Sequence, residues 1–200
     1  MTQIFQQLFR VAGVTLLIAC LSGNAYGMGE PKSASRDTSS ALNGQKLLSE
    51  VAGVYKNRFK NSTVNDEDYE SEDILEIVPI NKTAAYVRME LDFFNGHSCS
   101  LSTVFEYQGK GEFIAFADDV RAPDDGCTLK MEVGDKVLRF FDISKGVNDC
   151  KIHCGARGSL DEVEFSRSKK RRIRYMSRLT NGRHFKSATE AYSVEVPVGR

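Results

Sequence analysis

The sequence predicts a mostly β protein: a single antiparallel barrel of about eight strands with short helices at its ends. Three observations predict it. From residue 53 to residue 166 apolar residues recur with period two, as they do in half-buried strands. Between those runs lie short clusters of Gly, Asn, Asp and Pro, which make turns and leave no room for helical crossovers. The 200 residues are 41% hydrophobic with 27 basic and 27 acidic side chains, enough to fill one core and unlike a disordered chain or a rod. A two-sheet sandwich is the alternative arrangement of the same strands.

The chain opens with one positive charge, Arg10, before the apolar run Val11–Ala19. A run of that length reads as a secretory signal and is too short to span a bilayer. It ends in Leu17-Ile18-Ala19-Cys20, which resembles the lipobox of bacterial lipoproteins. The resemblance implies cleavage before Cys20, acylation of that residue and a lipid anchor in the cell envelope. Leu21 in place of Asp resembles lipoproteins sorted to the outer membrane, facing the periplasm. The alternative is ordinary cleavage after Ala25 or Gly27, which discards Cys20. Residues 1–19 are thus read as signal and 20–40, rich in Ser, Gly and Ala, as a flexible tether.

Residues 41–166 make the barrel domain. Ala41 to Val51 suits a short helix with Leu42, Leu47, Leu48 and Val51 on its apolar side. Strands are then expected at Val54–Lys60, Ile74–Ile80, Ala85–Phe93, Cys99–Tyr107, Glu112–Asp118, Cys127–Val133, Lys136–Ile143 and Ser159–Ser166. The clearest puts Ala85, Val87, Met89, Leu91 and Phe93 on one face and Tyr86, Arg88, Glu90 and Asp92 on the other. It runs into Asn95-Gly96, whose residues tolerate the positive φ of a hairpin turn. Gly109-Lys110-Gly111, Pro123-Asp124-Asp125-Gly126 and Gly134-Asp135 mark further turns. The acidic stretch 65–73 reads as a solvated loop. Closing such a meander removes its edges and leaves an interior for side chains or one small ligand, a broadly lipocalin-like arrangement. Phe93, Leu101, Phe105 and Tyr107 are the residues that would line it.

The tail, 167–200, differs in kind. Residues 166–186 hold nine basic and no acidic side chains, whereas 1–165 hold 17 basic and 25 acidic. Lys169, Lys170, Arg171, Arg172 and Arg174 form its densest patch. Ile173, Met176 and Leu179, three apart, suit one side of a short helix docked on the barrel with its cations in water. Such a patch attracts polyanions. Export removes nucleic acid from the expected partners and leaves lipid phosphates or an acidic protein.

Beyond Cys20, the cysteines are Cys99, Cys127, Cys150 and Cys154. Four in an exported domain imply two disulfides among three connectivities. The expected pairing joins Cys99 to Cys127 and Cys150 to Cys154. Without paired Cys-x-x-Cys knuckles, these residues with His97 or His153 make a poor zinc site, and no metal or cofactor is expected. No Gly-x-Ser-x-Gly, His-Glu-x-x-His, phosphate loop or dinucleotide fingerprint occurs, so no catalytic residue stands out.

A Cys150–Cys154 bridge would enclose a small ring and fix how Lys151 and His153 are presented. Cys150-Lys151-Ile152-His153-Cys154 resembles a shortened form of the disulfide loop Cys-Lys-Pro-His-Asp-Cys of bacterial inhibitors of vertebrate-type lysozyme, with Ile152 in place of Pro. A second class of such inhibitors, small membrane-bound lipoprotein barrels, resembles the expected architecture and anchor. The resemblance implies that His153 enters the enzyme's cleft, where two carboxylates flank the scissile bond. Lys151 or Arg157 would pair with its acidic walls. The sequence therefore leads to a non-enzymatic exported lipoprotein binding a protein partner, with lysozyme as the concrete case. The alternative is a carrier of a small hydrophobic ligand.

Overall fold

The period-two stretches form eight strands paired in chain order, each antiparallel to the next, in one nearly closed barrel. In the computed structural model, residues 34–117, 126–145 and 149–195 are described. The leader, Cys20, most of the tether and the Pro123–Gly126 turn up to residue 125 lie outside the described residues. The chain enters through helix α1 (Ala34–Val51). It continues as β1 (Gly53–Ser62), β2 (Asp68–Pro79), β3 (Ala84–Asp92), β4 (Ser98–Gly109), β5 (Glu112–Ala117), β6 (Cys127–Val133), β7 (Val137–Asp142) and β8 (Val163–Ser166). Two helices follow, α2 (Met176–Thr180) and α3 (Arg183–Glu195).

Alternation works as expected on β3, where Ala85, Val87, Met89 and Leu91 face the interior and Phe93 packs at its end. The β3–β4 turn puts both Asn95 and Gly96 at positive φ, 60° and 69°. Inside the barrel, Tyr55, Leu75, Ile77, Met89, Phe105, Phe113, Leu129, Met131 and Phe140 are all fully buried. Leu101, Phe105 and Tyr107, expected on the inward face, belong to this core. Phe105 meets Phe140 edge to face, with ring centroids 5.9 Å apart. The interior is thus filled by side chains, the usual outcome at this strand number.

Helix α1 seals one end. Leu48 and Val51 are buried against the strands, and Val51 accepts a 2.7 Å hydrogen bond from the Tyr55 phenol. The helix begins at Ala34, inside the segment expected to be tether, and Leu42, expected on its apolar side, is exposed. Gly44, Leu48 and Val51 form its packed face, with Gly44 against the Tyr107 ring, and Leu42 lies off that face.

Two strands depart from the sequence reading. The acidic stretch was expected to be a loop, but residues from Asp68 onward are in β2. The reason lies on the neighbouring strand: Lys60 is registered with Glu70, and Arg58 with Glu72. Glu72 takes ion pairs from Lys56 and, at 2.6 Å, from Arg58. The like charges of β2 that would repel one another in isolation meet an opposite row on β1. At the other end, β8 is shorter than expected. Leu160 is buried in the core, but Asp161 and Glu162 turn, with Glu162 at φ 58°.

The C-terminal segment covers the outside of β1–β3. A second apolar cluster joins Val54, Val78 and Tyr86 to Ile173 and Leu179, with Phe185 and Tyr175 packed against it. The segment docks, but not by one side of a helix: Ile173 precedes α2, and Met176 is exposed rather than buried. Beneath it, Glu76 is 1% exposed and is held between Arg88, at 3.0 Å, and the Tyr175 phenol. A carboxylate this deep needs both partners.

Candidate functional site

The end of the barrel opposite α1 is closed by the segment 149–160. Its first part is a 3₁₀ turn, Asp149–His153, in which the backbone N–H of Cys150 donates to Asp142 Oδ2 at 3.3 Å. Lys151 folds its amine back onto the Gly158 carbonyl at 2.8 Å, closing the loop on itself. The Gly155 N–H donates to the Ser98 carbonyl at 2.8 Å, and Cys154 forms a single β-bridge with Cys99.

The disulfides differ from the expected pairing. Cys99 is joined to Cys154 and Cys127 to Cys150. No small ring exists. The cause is topological: β5 stands between β4 and β6, so Cys99 and Cys127 lie two strand spacings apart, about 10 Å, too far to bridge, whereas one returning loop passes over both. Adjacent cysteines in the chain are instead splayed, Cys150 toward β6 and Cys154 toward β4. The three residues between them are consequently held by two strands rather than by each other.

This changes which side chain is presented. His153, expected to project, is half-buried with its Nε2 shut off from solvent. Ile152 is 68% exposed, the most exposed large apolar residue among those described. Lys151 and Arg157 are exposed on either side of it in the chain, as expected. The Arg157 guanidinium lies 5.5 Å from the centre of the Phe94 ring, and Phe94 is itself 39% exposed. At the same end stands Val64, also exposed, whose N–H donates to Asn95 Oδ1 at 3.3 Å. Phe94 and Val64 were not singled out from the sequence. The available signal was an apolar residue directly before Asn95-Gly96, where a solvated turn has no use for one.

Beside the loop is a polar cleft of about 210 Å³ lined by Asp142, Ser144, Lys151 and Asp161. Its carboxylates serve as structural acceptors. Asp142 takes the Ser144 N–H at 3.0 Å, and Asp161 takes the Asp142 N–H at 3.0 Å. The four cysteines that could have bound metal are spent on disulfides. Among the described residues no group of three His, Cys, Asp or Glu could hold an ion. His97 packs against Gly155, and His184 is exposed on α3.

The basic patch is at the other end of the barrel. Lys169, Lys170, Arg171, Arg172 and Arg174 are all exposed. Lys169 reaches Asn57 Oδ1, Lys170 the Glu50 carbonyl, and neighbouring Arg167 pairs with the Glu50 carboxylate at 3.2 Å. The predicted site residues therefore fall into two groups on opposite ends, and the structure does not bring them together. No family model matches the chain, and no curated protein or solved structure matches it.

Proposed function

We propose that the protein is a non-enzymatic, lipid-anchored protein of the cell envelope that binds a protein partner through the loop 149–158. The observation that carries this reading is Ile152, an exposed apolar residue between two half-cystines fixed to different strands. A single exposed isoleucine on a flexible loop is unremarkable. Held from both sides, it loses little entropy on docking, and interfaces draw most of their energy from a few such anchors. Lys151 and Arg157 add cations, so the complementary surface is an apolar pocket with acidic walls.

The buried side chains that pack the described interior, Phe105, Phe113 and Phe140 among them, favour this reading over a carrier. Two disulfides support residence in an oxidising compartment. The cleft carboxylates support a non-enzymatic role, being engaged by backbone N–H groups. A lysozyme remains the concrete partner to test, now with Ile152, Lys151 and Arg157 entering the cleft rather than a ringed His153.

The test is hydrolysis of peptidoglycan by several vertebrate-type lysozymes in the presence of the purified chain. Inhibition is expected, weakened at least about tenfold by Ile152→Asp at unchanged melting temperature, since one buried anchor is worth about 2 kcal/mol or more. His153→Ala should change it far less. Lysozymes that stay fully active remove that partner. Capture of an envelope protein that Ile152→Asp leaves unchanged removes the loop as the binding surface.

A further inference from the structure

The basic segment after β8 is not a loose tail. Arg171 exchanges both backbone hydrogen bonds with Val54, each 2.8 Å, and so stitches the seam between the first and last strands. The approach is close: a Cβ on Gly53 would stand 2.7 Å from the Arg171 carbonyl. Ile173, 5% exposed, pins the next step to the outer wall. Lys169, Lys170, Arg171, Arg172 and Arg174 are therefore displayed from a fixed backbone, at the barrel end that α1 enters.

Their charge is uncompensated. Among the described residues none of the five takes part in an ion pair, and Glu50, whose carbonyl Lys170 reaches, has its carboxylate paired with Arg167. Holding like charges together costs stability through self-repulsion, and a counter-charge would relieve it. The cations follow one another closely in the chain, Lys169 ending a 3₁₀ turn and Arg171 bridged to β1. Guanidinium groups in such a row match phosphates, which they bind bidentately. Exposed Met176 adjoins the run.

We infer that this collar seats the α1 end of the barrel on an anionic phospholipid surface, with headgroup phosphates as its ligands. The inference rests on the envelope-lipoprotein reading for the membrane's presence, and it goes further by giving the domain an orientation. The collar faces lipid, and the loop carrying Ile152, at the opposite end, faces away.

The test uses the chain from residue 20 onward, as cleavage would leave it, with Cys20→Ala to remove acylation, and vesicles of phosphatidylcholine with or without phosphatidylglycerol. Binding is expected only with phosphatidylglycerol, and should fall as salt screens the charges. Each cation near such a surface contributes about a fivefold gain in binding. The triple variant Arg171→Gln, Arg172→Gln, Arg174→Gln should therefore lose about a hundredfold. Arg183→Gln with Lys186→Gln, on α3, should lose much less. Wild-type binding by the triple variant overturns the inference, as does an equal loss in the α3 variant. Binding to polyglutamate but not to vesicles overturns it in favour of an acidic protein. Neither vesicle result depends on Ile152, so its failure and that of the partner-binding loop are distinguishable.

Discussion

Gly158 lies so close to the Cys99 sulfur that a Cβ there would stand 2.6 Å from it. The same Cβ would meet the Cys154 Cβ at 3.1 Å and the Phe93 ring at 3.2 Å. The loop thus returns directly over the disulfide that fastens it, and only a residue without a side chain permits that path.

Gly158→Ala should accordingly destabilise the protein by about 1–3 kcal/mol, the usual cost of overpacking against atoms that cannot yield. A disulfide buttressed by an aromatic ring is such a neighbour. Urea unfolding should show a lower midpoint at unchanged slope. A midpoint equal to wild type would mean that the loop has room to shift.

The cysteine pairing makes a sharper prediction, because trypsin cuts after Lys151 and so separates Cys150 from Cys154. An unreduced digest should yield peptide 89–110 linked to 152–157, and 122–130 linked to 146–151. Mass spectrometry distinguishes this from a pair joining 146–151 to 152–157. Loop closure assigns about 4 kcal/mol to the bridge over 55 residues and about 3.4 kcal/mol to the one over 23. Replacing either pair by Ser should lower stability by a comparable amount, more for Cys99–Cys154.

The contact between Tyr175 and Glu76 gives a pH dependence. Burial, reinforced by the bond to the carboxylate, pushes the Tyr175 phenol up to about 12. A free tyrosine titrates near 10, so the unfolded chain releases this proton first. The stability contributed is complete below about pH 10 and is lost as the pH rises through about 12. Tyr175→Phe should cost about 1.5–3 kcal/mol at neutral pH, the value of a hydrogen bond to a charged group. Its deficit relative to wild type should shrink between those pH values, measured by denaturant unfolding. A deficit constant with pH would show that the phenol acts through packing alone.

What the residues determined by themselves was everything set by neighbours along the chain. Alternation on β3 chose its inward face, Asn95-Gly96 turned it, and period two without helical spacers made a meander. Ile173 and Leu179 do dock on the barrel, although Ile173 precedes α2 and the three-residue spacing is not that of one helix face. What only the tertiary structure decided depends on strands far apart in sequence arriving at one place. Whether 68–73 is loop or strand follows from the basic row on β1. Which cysteines pair follows from β5 holding β4 and β6 apart while one loop passes over both, not from their separation in the chain. That pairing then sets the short turn between Cys150 and Cys154, so that Ile152 is exposed and His153 half-buried with its Nε2 turned inward. Local preference is read residue by residue, whereas a cross-link or an exposed anchor is a property of the closed barrel.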